Sequence, residues 1–142
     1  EFLTGKNETN QLQEGRAVLS DGSCGSIGYG IATAYAKRTL ILLLPEKCKE
    51  DEDAKEELER LHGIEVLPVQ ADVNAGADNQ AAVQNVVKQA VDKFGRIDVL
   101  INNAQASASG VTLADHTTEQ FDLAVYSGLY AVFYYMKAAI LI

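Results

Sequence analysis

A chain of 142 residues, 47% hydrophobic and 23% charged, suits one soluble globular domain with its own core. Its net charge of −8 excludes a nucleic-acid partner, because gripping a phosphate backbone takes clustered Lys and Arg. Two cysteines, Cys24 and Cys48, make no disulfide framework, and the apolar tract over 129–142 is broken by Lys137 and too short for a bilayer; a cytoplasmic protein with no membrane partner is expected.

The first 14 residues are polar and lack an apolar signal core, so they read as a flexible arm or an expression remnant. Residues 15–142 carry the domain. "RAVLS" (16–20) is a short apolar strand running into a glycine-studded turn. "SIGYGIATAYAK" (26–37) spaces Ile27, Ile31, Ala34 and Tyr35 as a helix does. "TLILLL" (39–44) is an unbroken apolar strand of the kind buried on both faces. The charged stretch 50–63 is a solvated helix closed by Gly63 as C-cap.

"IEVLPVQADV" (64–73) reads as a third strand, and residues 79–95 as a helix with Ala82, Val86, Ala90 and Phe94 in i+4 steps, ending again in glycine. "RIDVLINNA" (96–104) is a fourth strand. From 116 to 142 one long helix is predicted, opened by a capping box in which Gln120 follows Thr117 by three. The order β-α-β-α-β-α-β-α implies a parallel, doubly wound, Rossmann-like α/β sheet.

In such a sheet ligands bind past the carboxyl ends of the strands, where the strand order reverses. The first strand-to-helix turn lies there, and its helix offers free N–H groups to a phosphate. Gly22, Gly25, Gly28 and Gly30 would let the backbone approach a pyrophosphate. A tight βα turn without a ligand explains the same glycines equally well, and no strict G-x-G-x-x-G is present.

"DGSCGSIGYGIA", "ADV" and "DKFGRIDVLINNA", set on this alternating pattern, resemble the short-chain dehydrogenase/reductase family, and among its members those whose fourth strand ends "NNAQ". The resemblance runs from about Gly15 to the C-terminus and implies an NAD(P)-binding half of an oxidoreductase acting on an alcohol or carbonyl. Laid on the family's Thr-Gly-x-x-x-Gly-x-Gly loop, Asp21 stands for the threonine, Gly22 and Gly28 match, and Ser26 replaces the middle glycine. Gly22, Ser23, Ser26, Ile27 and Gly28 would line the loop around the cofactor.

At the end of the second strand the resemblance implies an acid for ribose hydroxyls or a base for a 2′-phosphate. Glu46 and Lys47 supply one of each. The acid leans the reading toward NAD, with NADP left open, and a solvated charge pair is the plain alternative. Asp72 and Val73 match the pair beside adenine. Asn102, Asn103 and Ala104 match the turn near the cofactor ribose, where asparagines also cap strand ends on their own account. Gln105 stands where the family usually has glycine, and a family asparagine on the following helix falls at Gly128.

The family's chemistry uses a serine and a Tyr-x-x-x-Lys pair, the lysine lowering the tyrosine's pKa. No Tyr-x-x-x-Lys occurs: Tyr134 and Tyr135 precede Lys137, but the residue four before it is Phe133. The catalytic residues are therefore expected beyond Ile142, making this a truncated domain, inactive alone. His62 and His116 show no metal-ligand spacing, and no metal site is expected. Cys24 reads as a loop filler. A rival reading from another class is a non-catalytic module that self-associates through the long C-terminal helix and an open sheet edge; a homo-oligomer is expected on either reading.

Overall fold

A computed structural model describes residues 16–22, 26–36, 39–44, 50–72 and 78–142. In chain order these form β1 (Ala17–Ser20), α1 (Ser26–Tyr35), β2 (Thr39–Leu44), α2 (Glu50–His62), β3 (Val69–Gln70), α3 (Asn79–Phe94), β4 (Val99–Ile101), a 3₁₀ turn (Leu113–Asp115), α4 (Thr118–Val125), a π turn (Tyr126–Tyr130) and α5 (Ala131–Ala139). The expected alternation holds.

The strands form one parallel sheet in the order β3-β2-β1-β4. The chain steps outward from β1 to β2 and β3, then returns to the other side of β1 to lay down β4. Strand order thus reverses between β1 and β4, which is where such a sheet opens a crevice. The two strands are tied at their start by Asp98, whose N–H donates to the Ala17 carbonyl (2.8 Å) while its Oδ2 accepts from the Ala17 N–H (2.8 Å).

β1 is buried on both faces, as a central parallel strand must be. Ala17 and Leu19 point into one core with Val83, Val86, Ala90, Ala131 and Tyr135, supplied by α3 and α5. Val18 points the other way, to Ala32, Ala36, Leu58 and Val66 under α1 and α2. Burying each large side chain contributes about 1.5–3 kcal/mol, so a single strand anchors both layers.

Helix ends follow their sequence signals. Gly63 and Gly95 adopt φ of +64° and +74° and donate their N–H groups back to Glu59 (2.9 Å) and Val91 (2.7 Å). At the start of α4 the Thr117 hydroxyl accepts from the Gln120 N–H (3.2 Å), and the Gln120 side chain accepts from the Thr117 N–H (3.0 Å). Thr117→Ala is expected to lower stability by about 1 kcal/mol, a drop of roughly 2–4 °C in a thermal melt.

Three expected elements come out differently. The third strand shrinks from 64–73 to Val69–Gln70, because Pro68 has no N–H for a ladder and the Glu59 carboxylate takes the N–H of Val66 (3.0 Å). The fourth narrows from 96–104 to Val99–Ile101, its flanks being drawn off by the Asp98 tie and by the turn described below. The long helix starts at Thr118, widens into a π turn over Tyr126–Tyr130 and closes at Ala139. Its outer face leaves Leu129, Phe133, Met136 and Ile140 exposed while Ala131 and Tyr135 are buried.

Candidate dinucleotide site

Where β1 ends, the chain is bound across to the end of β4. The Asp21 N–H donates to the Ile101 carbonyl (3.1 Å), extending the β1–β4 ladder by one bond. Its side chain then turns inward, and Oδ1 accepts from the N–H of Asn103 and from that of Ala104 (2.7 Å). Asn103 answers with its own side chain: Nδ2 donates to the carbonyls of Gly22 (3.1 Å) and Asp21 (3.4 Å). Two loops that would otherwise splay apart are laced into one surface.

Gly22 makes this close lacing possible. Its φ is +65°, and a Cβ there would lie 2.8 Å from the Ala104 Cα. Only glycine meets both conditions. Next to it, Asn102 has a buried Oδ1 with no partner among the described residues. The ends of β1 and β4 are thus in close backbone contact at the point where strand order reverses, with the Asn102 Oδ1 unpaired beside them. α1 begins at Ser26 on the same edge, with Gly28 buried in its first turn and Ile27 exposed on its surface.

The Asp21 carboxylate lies almost wholly inside the protein, 4% exposed. Burial pushes its pKa above the usual carboxylate range, partly offset by the hydrogen bonds from Ala104 and Asn103, which favour the charged form. The buried Tyr135 phenol is raised as well, by burial and by the nearby Asp21 charge. Such a phenol does not exchange protons near neutral pH. Lys137, on the exposed side of the helix, lies over the Phe133 ring at 5.9 Å. This stretch supplies packing, not a proton donor.

On the opposite wall, the Ser127 hydroxyl accepts from the Ala106 N–H (2.9 Å) and faces the carbonyls of Leu123 (2.7 Å) and Ala106 (3.2 Å) as acceptors for its own proton. The Asn79 side chain donates to the Tyr126 carbonyl (3.3 Å), a group that the π turn shares with the Ala131 N–H. The start of the loop after β4 is therefore held twice, at Asn103 and Ala104 by Asp21 and at Ala106 by Ser127.

The structure thus brings Gly22, Asn102, Asn103 and Ala104 together, with Ser26, Ile27 and Gly28 on the adjoining helix. Asp72 is exposed just past β3, two strands from β1. Ser23, Glu46, Lys47 and Val73 lie outside the described residues. Sequence reasoning treated Asp21 only as a replacement for threonine and missed its bridging role. Asp-Gly after an apolar strand signals a turn, but not a tie to residues some eighty positions away. Ser127 and Asn79 were missed too; a serine–glycine pair inside an aromatic helix was the available clue. Among the described residues no cluster of His, Cys, Asp and Glu could hold a metal ion, and no helix is long and apolar enough to cross a membrane.

The family model for short chain dehydrogenases matches residues 16–141. The chain belongs to the short-chain dehydrogenase family. Over 121 residues it is 53% identical to a 12α-hydroxysteroid dehydrogenase of a Clostridium species, an alignment covering 84% of this chain and 47% of that protein. A short-chain dehydrogenase of Burkholderia cenocepacia solved with NADP superposes with a TM-score of 0.80 at 28% identity, over 93% of this chain and 52% of the other. NAD⁺-bound xylitol dehydrogenase gives 0.78 at 26%, over 89% and 47%. This short-chain dehydrogenase chain spans about half the length of the curated relatives it matches. It is a Rossmann-type α/β domain of this oxidoreductase family.

Proposed function

We propose that this chain is the dinucleotide-binding portion of an enzyme that interconverts a secondary alcohol and its ketone. The observation that supports the reading is the pair of loops at the β1–β4 reversal, packed at Gly22 on Ala104 and laced by Asp21 and Asn103. When bound, the nicotinamide supplies hydride. Gly22 lets the loop after β1 close on Ala104, the α1 N-terminus offers N–H groups to its phosphates, and Asn102 to Ala104 line the wall near a ribose. Val73 and Asp72 flank the adenine in this reading, while Ser23 completes the phosphate loop.

The 53% identity to a 12α-hydroxysteroid dehydrogenase makes a hydroxyl on a rigid polycyclic ring the substrate class we favour. Glu46 favours NAD over NADP, since its carboxylate accepts from ribose hydroxyls and repels a 2′-phosphate, while Lys47 softens that preference. With no Tyr-x-x-x-Lys in its sequence and Tyr135 sealed in the core, the chain alone does not turn over substrate. The enzyme works in the cytoplasm. Self-association is favoured by the exposed Leu129, Phe133, Met136 and Ile140, whose transfer from water needs a covering surface.

Fluorescence titration of the purified chain with NADH and NADPH tests the reading. The expected result is weak saturable binding, tighter for NADH, with no oxidation of a hydroxysteroid in the presence of NAD⁺. Absence of binding to either nucleotide sinks the dinucleotide reading. Tighter binding of NADPH overturns the role given to Glu46, and turnover by the chain alone overturns its inactivity. Size-exclusion chromatography, with and without nucleotide, decides self-association.

A further inference from the structure

β1 runs directly into the pair Asp21-Gly22, the one Asp-Gly in a sequence that has no Asn-Gly. An aspartyl carboxyl followed by glycine is open to attack at Cγ by the glycine's own backbone nitrogen, because no Cβ shields that nitrogen. The reaction requires the Asp21 side chain to fold back over the peptide that follows it and close a five-membered ring.

The fold holds this pair away from that geometry. Asp21 Oδ1 accepts from the N–H groups of Asn103 and Ala104 (2.7 Å), so the carboxyl is drawn toward residues 82 and 83 positions along the chain. Asn103 Nδ2 donates in turn to the Asp21 carbonyl (3.4 Å), which belongs to the very peptide whose nitrogen would attack, and to the Gly22 carbonyl (3.1 Å) beyond it. Gly22 keeps a φ of +65° with its Cβ position only 2.8 Å from the Ala104 Cα, so that peptide has no room to turn. At 4% exposure, Asp21 also gives little access to the water that must leave and return.

We infer that Asp21-Gly22 is a latent isomerisation site, shut while the lacing between the ends of β1 and β4 holds and reactive once it parts. The Gly22 nitrogen then bonds to Asp21 Cγ. Its proton and the carboxyl hydroxyl leave together as water, and a succinimide remains. Water adding at Cγ restores aspartate. Water adding at the Asp21 main-chain carbonyl carbon breaks its bond to the Gly22 nitrogen instead, and the chain then runs through Cγ as isoaspartate. Nothing is oxidised or reduced, and the final mass is unchanged. The backbone is now one methylene longer at the end of β1, and the free carboxylate stands on the α-carbon. That carries Gly22 off Ala104 and the carboxylate off its two N–H groups, so the change locks the seam open.

The test follows the tryptic peptide spanning residues 17–37, whose aspartyl and isoaspartyl forms share a mass and separate by chromatography. The whole chain is incubated folded, at a series of urea concentrations below its unfolding transition, and fully unfolded. Isoaspartate is expected to form at least about tenfold more slowly in the folded chain than in the unfolded one. Its rate should already climb below the transition, because the seam parts before the sheet does. Asn103→Ala, which removes both Nδ2 bonds, should isomerise about fivefold faster than the native chain when both are folded. Gly22→Ala should lose the reaction in the unfolded chain, where its effect on folding plays no part.

Absence of isoaspartate from the unfolded native chain would remove the site. Equal rates in the folded and unfolded chains would show that the fold does not guard it. A rate that rises only with global unfolding would give the guarding to the sheet as a whole and overturn the role of the lacing, as would a folded Asn103→Ala chain no faster than native. Should Asn103→Ala not fold, the urea series on the native chain decides alone.

Discussion

Gly22→Ala is expected to lower the melting temperature by roughly 5–10 °C and to abolish nucleotide binding. The substitution adds one methyl group, and two separate effects make that methyl intolerable. At φ +65° an L side chain costs about 1–2 kcal/mol from its own backbone. The new Cβ also lies 2.8 Å from the Ala104 Cα, which is backbone and cannot swing aside as a side-chain tip would. Overpacking of this kind costs about 1–3 kcal/mol more, and relieving it means pushing apart the two loops that form the groove. Gly30→Ala is the control: nothing lies within 4 Å of its Cβ position, it sits inside α1, and alanine there should leave the melt unchanged or raise it. Equal melts for Gly22→Ala and the native chain would remove the glycine floor from the account.

Asp21→Asn is expected to stabilise the protein at neutral pH, whereas Asp21→Ala destabilises it at every pH. Burial raises the Asp21 carboxyl above its unfolded value, so the folded state holds that proton more tightly than the unfolded chain does. The stability tied to this proton is complete below the unfolded-state pKa and is lost as pH rises through the raised folded value. At neutral pH the ion is therefore a net burden on folding, despite the two N–H groups it receives. Asparagine keeps an acceptor oxygen for Asn103 and Ala104 and removes the burden. Alanine leaves both amide groups without an acceptor, at about 1–3 kcal/mol each. Urea melts of the three proteins from about pH 4 to about pH 8 decide this: the native chain should weaken toward neutrality relative to Asp21→Asn, whose own curve lacks that step. An Asp21→Asn protein weaker than native at neutral pH would mean that the charge-assisted hydrogen bonds outweigh burial.

Much of the fold was legible because its signals are local. Gly63, Gly95 and the Thr117–Gln120 box end or begin helices through bonds within a few residues, and such spacings can be read from a string of letters. The parallel order followed from alternating periodicities. What escaped was long-range or subtractive. Asp21 reaches Asn103, and Pro68 takes a bond away from a run that otherwise reads as strand. The π turn leaves no mark in a periodicity that is apolar nearly all round. Tyr135, offered by sequence as part of a near-miss catalytic pair, is decided by packing against α3 and β1, which no local spacing records.

The position of β1 between β2 and β4 also dictates a history for the chain as it folds. Ala17 faces Thr39 across one crossover, so the β1–β2 pair closes early and with a modest loss of chain freedom. The bonds from Asn103 to Asp21 join residues 82 apart, and they form only after β2, α2, β3 and α3 have been laid down between them. By that reasoning this seam, like the β1–β4 pairing beside it, is expected to close late and to open early. Its amides at Asn103 and Ala104 are expected to exchange with solvent ahead of those in β1, which hydrogen exchange on the chain would check.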